Sequence, residues 1–212
     1  MALNPSLNCI ASPATTAPIS RYVQGRKIAF FLEPIPVDAA VLEVGCGSGW
    51  VGDFFRRRSQ RRYVGMDLFP PADVVGDIKQ WRELGLMPES FDYIVAFEVI
   101  EHVDLSAECF DLLKPGGRLL LTSPVPSRDW VLKILEAIHL CQKRTSPHSN
   151  LVDLRNLPRF ETASYRQRAG LSQWAVVQKP IVAAANPSLS VTVDPTLRGV
   201  GATRRQTTGA TI

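Results

Sequence analysis

The chain has 212 residues, 45% of them hydrophobic and 21% charged, with a formal net charge of +4. That is ordinary globular usage, and it excludes wholesale disorder, a collagen-like repeat and a coiled coil. No apolar run reaches the ~20 residues that a bilayer span needs, and a single α/β core of this size buries enough surface to fold alone.

Charge is uneven along the chain. Residues 41–126 carry 9 basic and 13 acidic side chains, and residues 127–182 carry 9 and 4. A basic second half suits an acidic ligand, against the simpler reading of a solvated face. The four cysteines, Cys9, Cys46, Cys109 and Cys141, form no C-x-x-C pair. That spacing predicts no metal site and fits reduced thiols in the cytoplasm.

Residues 1–18 are rich in Ala, Ser, Thr and Pro without periodicity and read as a flexible leader. They show no basic region ahead of an apolar core, so no secretory signal is expected. The predicted domain covers 19–182. Val41–Val44 reads as a buried strand, and Val51, Phe54 and Phe55 mark a helix with Asp53 in its first turn and Arg56–Arg58 at its end. Tyr63–Met66, Asp73–Val75 and Tyr93–Val99 read as further strands. Leu105, Cys109, Leu112 and Leu113 predict a helix stopped by Lys114-Pro115-Gly116-Gly117, and Arg118–Thr122 a fifth strand. Trp130–Cys141 and Glu161–Ala169 are predicted as helices, and Leu171–Gln178 as a strand. Residues 183–212 read as mostly disordered, with a short edge strand at 189–193. Alternating strands and helices with continuous apolar strands predict a doubly wound, mostly parallel α/β sheet with helices on both faces. Its ligands should sit at the carboxyl ends of the strands.

The segment Val41-Leu42-Glu43-Val44-Gly45-Cys46-Gly47-Ser48-Gly49-Trp50 runs a strand into three alternating glycines and then a helix. Glycines permit a tight turn and close approach of a ligand to the backbone, and a helix start favours an anion. The dinucleotide fingerprint G-x-G-x-x-G fits from Gly47 to Gly52, so spacing leaves a NAD-binding oxidoreductase open. A phosphate-binding loop of the Walker type is excluded, because no Gly-Lys-Ser/Thr follows.

The pattern E-x-G-x-G-x-G after a buried strand resembles the first motif of class I S-adenosylmethionine-dependent methyltransferases. The resemblance runs from about Arg21 to Lys179 and continues through Asp67, Val75-Gly76-Asp77-Ile78, the run from Phe91 to Val103 (FDYIVAFEVIEHV) and Leu112–Leu121 (LLKPGGRLLL). The fourth of these is similar to the small-molecule branch that includes quinone-biosynthesis enzymes. The resemblance implies a Rossmann-like fold and S-adenosylmethionine as cofactor, held by Glu43, Gly45, Cys46, Gly47 and Gly49. It places Asp67 on the ribose hydroxyls, Leu68 beside it, and Asp77 and Ile78 on the adenine, although Asp77 also suits a helix cap. Glu98 is placed by the methionine part.

The reaction it implies is an in-line displacement, in which alignment alone supplies ~7–11 kcal/mol of barrier reduction. Where the acceptor must lose a proton, His102 is the first candidate base and His148 the second; His139 falls on a polar helix stripe. Tyr22 and Arg26 are placed to close over the cofactor, and Ser123–Glu161 to shape the acceptor site. That site is expected to take an anionic or apolar small molecule, with Lys143, Arg144, Arg155, Arg159, Arg166 and Arg168 as the basic residues available to it. No nucleic-acid partner is expected, since a D/N-P-P-Y/W motif and an aromatic-interleaved basic stripe are both missing. Oligomeric state is left open. The hairpin that closes such sheets in the family is not recognisable after Lys179. A non-catalytic relative that binds a partner protein is the remaining alternative, opposed by the retention of Gly45, Gly47, Gly49 and Asp67 together.

Overall fold

The computed structural model describes residues 18–126 and 152–181. These fall in one compact unit bounded at Ile181. The leader, the predicted helix Trp130–Cys141, His139, His148 and the tail with its predicted edge strand lie outside the described residues.

Helix α1 (Pro18–Lys27) runs directly into a π-helical turn, Ile28–Leu32. The alternation then follows: β1 (Val41–Val44), α2 (Trp50–Arg57), β2 (Tyr63–Asp67), β3 (Val74–Val75), β4 (Phe91–Phe97), α3 (Ser106–Leu112), β5 (Leu113–Pro124), β6 (Glu161–Arg168) and β7 (Ser172–Gln178). The strands form one sheet in the order β3-β2-β1-β4-β5-β7-β6. The first five are mutually parallel, and β7 runs antiparallel to both its neighbours. The strand order reverses between β1 and β4, and ligands of open α/β sheets bind at the carboxyl side of such a switch.

Period-two alternation divides the core into two layers. Leu42, Val44, Ile94, Ala96, Leu119, Leu121, Ala175 and Val177 pack on one face with Cys109 and Leu112 of α3. Val41, Val95, Leu120 and Trp174 pack on the other with Phe31, Leu32 and Ile35, and with Val51 and Phe55 of α2. Phe55 is fully buried, and truncating such a side chain typically costs about 3–5 kcal/mol. All four residues of β1 are buried, which is why the strand reads as an unbroken apolar run apart from Glu43.

Three expectations are corrected. The segment Glu161–Ala169 is the edge strand β6 and not a helix. Tyr165 packs on the core between outward-facing polar neighbours, and pairing with β7 overrides a weak helical pattern. The closing hairpin, sought after Lys179, is therefore β6–β7. Its turn puts Ala169 (φ 49°) and Gly170 (φ 65°) in the left-handed region, closed by the Leu171 N–H donating to the Arg168 carbonyl at 3.0 Å. Strand β5 begins at Leu113, not Arg118. The Lys114–Gly117 segment ends α3 and is itself extended, with a register irregularity against β4.

Candidate functional site

Gly45, Gly47 and Gly49 have φ of 76°, 42° and 73°. Left-handed backbone at three alternate positions is why the sequence needs glycine there. The N–H groups of Gly45 and Cys46 both donate to the Met66 carbonyl, at 2.8 and 3.0 Å, pinning the loop to the end of β2. The Gly47 N–H donates to Asp67 Oδ2 at 2.9 Å, and the Phe69 N–H to Oδ1 at 3.2 Å. Each carboxylate oxygen keeps further acceptor capacity. Leu68 and Phe69, next along the chain, are 59% and 72% exposed. They offer apolar surface beside the carboxylate, and Phe69 was not singled out from the sequence. A Cβ at Gly45 would stand 2.6 Å from Val99 Cγ2, so the glycine loop and the loop after β4 meet.

Glu43 lies beneath this loop, 4% exposed, and accepts from the Tyr63 hydroxyl. Burial raises its pKa to about 8, with the charges of Asp67 and Asp73 adding and the Tyr63 hydrogen bond opposing. It supports the loop as a neutral acid at pH 7. Gly52 and Gly65 explain how Tyr63 reaches it: a Cβ at either would stand 2.9 and 3.0 Å from the phenolic oxygen. The glycine that made a dinucleotide fingerprint possible thus faces a ring, in the first turn of α2.

Cys46 is buried, as is Cys109, and neither is bridged. Asp77 caps a short 3-10 turn, Ile78–Gln80, accepting from the Lys79 N–H at 2.9 Å. Ile78 is 4% exposed and packs in the core, so little of its side chain is open to a ligand.

Glu98 follows β4 with φ 57°, a backbone region costly to a side-chain-bearing residue and concentrated at functional sites. Its N–H donates to the Thr122 carbonyl at 2.9 Å. Its Oε1 accepts from Lys27 Nζ at 2.9 Å and from Thr122 Oγ1 at 2.8 Å, and its carboxylate also accepts from the Glu101 carboxyl. Lys27 is nearly buried while the Glu98 carboxylate stays 43% exposed. Lys27 also donates to Thr122 Oγ1 at 3.0 Å and lies 5.1 Å from the Phe97 ring centre. Desolvation acts to raise the Glu98 pKa, but the Lys27 charge and hydrogen bonds outweigh it and hold the carboxyl below its ordinary value. Glu101, 1% exposed, is pushed up to about 8 by burial and by the Glu98 charge. His102 is half-buried in the same loop, its N–H donating to the Val99 carbonyl at 2.9 Å.

The structure therefore gathers Glu43, Gly45, Cys46, Gly47, Gly49 and Asp67 around one loop, and brings Glu98 to His102 against it through Val99. It adds Tyr63, Lys27, Thr122 and Glu101. Only distance in sequence hid Lys27 and Thr122: each lies 71 and 24 residues from Glu98. Among the described residues no group of His, Cys, Asp and Glu is arranged to hold a metal ion, and no helix is long and apolar enough to cross a membrane.

Known proteins are similar to this chain. A probable S-adenosylmethionine-dependent methyltransferase of Mycolicibacterium smegmatis is 29% identical over 154 residues, 63% of this chain and 57% of that protein. A ubiquinone biosynthesis O-methyltransferase of Bradyrhizobium is 32% identical over 108 residues, 42% of this chain and 41% of that protein. The chain thus spans about half the length of these curated relatives. A crystal structure from Pyrococcus horikoshii superimposes with a TM-score of 0.57 at 15% identity, covering 77% of this chain and 92% of that one. The family model described as a methyltransferase domain matches residues 19–163, most of the described fold and the whole glycine-loop site, and the chain belongs to that family.

Proposed function

We propose that the protein is an S-adenosylmethionine-dependent methyltransferase acting on a small molecule, with its catalytic domain at 19–182. One observation carries this reading: three left-handed glycines face a carboxylate that the loop itself orients through the Gly47 N–H. A Cβ at Gly45 would collide with Val99, so glycine keeps the loop against the segment after β4, and Asp67 would accept from two hydroxyls of a ribose.

When bound, S-adenosylmethionine supplies a methyl carbon on a sulfonium, a leaving group already activated by its charge. The chain's own work is alignment and exclusion of water. Asp67 fixes the ribose, with Leu68 and Phe69 beside it. Glu98, oriented by Lys27, Thr122 and Glu101, would offer its partly exposed carboxylate to the ammonium of the methionine part. Phe97 and Trp50, stacked with ring centres 5.9 Å apart, form an apolar wall beside it. His102 receives the acceptor's proton on a ring nitrogen where the nucleophile is a hydroxyl or amine. His148 is kept as the second candidate on sequence alone. The relatives' names favour an oxygen nucleophile. The unbridged buried cysteines suit a cytoplasmic enzyme.

The test is calorimetric titration of the full chain with S-adenosylmethionine, S-adenosylhomocysteine and NAD, alongside Asp67→Ala. Micromolar binding of the first two, weakened at least tenfold in the variant, is expected. Binding of NAD alone would overturn the reading, and binding of none would favour a non-catalytic relative.

A further inference from the structure

Strand β6 presents two arginines that make no ion pair among the described residues. Arg166 and Arg168 alternate with Tyr165 and Gln167, and register sets Arg166 against Trp174 and Arg168 against Ser172. The Arg166 guanidinium lies 4.8 Å from the Phe30 ring centre. That of Arg168 lies 5.8 Å from Phe30 and 4.9 Å from Trp174. Neither makes an ion pair among the described residues. Arg168 Nε and the neighbouring Ser172 Oγ are buried with no hydrogen-bond partner. A buried donor left unmade is costly. A guanidinium resting on an aromatic face still offers its N–H fork to a planar or tetrahedral anion.

The position is as informative as the chemistry. Thr122 pairs with Trp174, which pairs with Arg166, and Pro124 pairs with Ser172, which pairs with Arg168. Both arginines thus stand at the carboxyl end of β5, where Thr122 also touches Glu98. From β4 to β6 is three strand spacings, about 14 Å. That gap is bridged by aromatic rings in contact: Phe97 with Phe31 at 5.0 Å, and Phe31 with Trp174 at 5.3 Å.

We infer that Arg166 and Arg168, with Ser172, form an anion subsite for the methyl acceptor, which carries a carboxylate or phosphate on an apolar or aromatic body. The subsite rests on the methyl-transfer reading only for its role; the anion binding stands by itself. The acceptor's nucleophile then lies toward Glu98 and His102, with its body along the aromatic rings.

The test is calorimetric titration of the full chain with pyrophosphate and with benzoate, at low and at physiological salt. Wild type, Arg166→Gln, Arg168→Gln and the double variant are compared, with S-adenosylmethionine binding measured in each. Millimolar or tighter binding of one probe is expected, weakened at least tenfold in the double variant while S-adenosylmethionine affinity stays within twofold of wild type. Preference for pyrophosphate assigns a phosphorylated acceptor, and preference for benzoate an aromatic carboxylate. If the double variant does not fold, the exposed Arg166→Gln carries the comparison. Failure of wild type to bind either probe, or equal binding by the variants, would overturn the subsite. Loss of S-adenosylmethionine binding in wild type would overturn the cofactor reading instead.

Discussion

At the scale of single residues, the ion pair between Lys27 and Glu98 ties the N-terminal helix to the end of β4. Its partners are unequal: Lys27 is nearly buried, and Glu98 is 43% exposed on its side chain. Solvent screening at Glu98 weakens the attraction, but a desolvated ammonium left alone is expensive. Removing the carboxylate charge should therefore cost more than removing both charges. Glu98→Gln is expected to destabilise the fold by about 1–2 kcal/mol, and Lys27→Met in that background to recover most of it. Urea denaturation of the two single variants and the double variant measures the coupling. Strictly additive losses would mean that the pair does not hold α1 in place.

At the scale of elements, the β6–β7 hairpin shows why part of the fold was legible and part was not. The parallel half could be read because its strands are buried on both faces and its loops carry glycines with positive φ. In the same way Gly45, Gly47, Gly49 and Asp67 announced the left-handed glycine loop and the carboxylate bonded to it. Strand β6 is an edge strand with five exposed residues of eight. Its identity comes from pairing with β7, which no local pattern in ETASYRQR records. Lys27 and Thr122 were hidden for the same reason, since their meaning is a contact between distant segments. The turn of this hairpin makes a clear prediction. Ala169 occupies the left-handed region with φ 49°, where a Cβ costs about 1–2 kcal/mol. Glycine avoids that cost and gives back part of it as unfolded-chain entropy. Ala169→Gly should stabilise the protein by about 0.5–1 kcal/mol, read as a rise in Tm. A fall in Tm would show that the turn does not hold this conformation in solution.

At the scale of the whole molecule, two buried carboxyls make stability depend on pH in a direction opposite to ordinary acid denaturation. Glu43 and Glu101 both titrate near pH 8 in the folded protein, Glu43 chiefly from burial and Glu101 from burial and the Glu98 charge. In the unfolded chain both return to the ordinary 4.5. Between those values the folded state binds more protons than the unfolded state, so stability falls as pH rises. Each proton contributes a slope of up to about 1.4 kcal/mol per pH unit. The contribution is fully present below pH 4.5 and is lost as pH passes through 8. Glu98, Asp92 and Asp104 act in the other sense, because their folded pKa values lie below the ordinary ones. Their contribution is present above the ordinary carboxylate range and is lost in acid. The two trends place maximum stability on the acid side of neutrality. Urea denaturation at pH 5, 6, 7 and 8 should show a steady decline for the wild type. Glu43→Gln keeps an acceptor for the Tyr63 hydroxyl without a titrating proton, so its profile should be flatter by one proton's slope. The variant should then be the more stable protein at pH 8. A wild-type profile that is level or rises from pH 5 to 8 would mean that Glu43 is ionised beneath the glycine loop, and that the loop rests on a charge and not on a neutral acid.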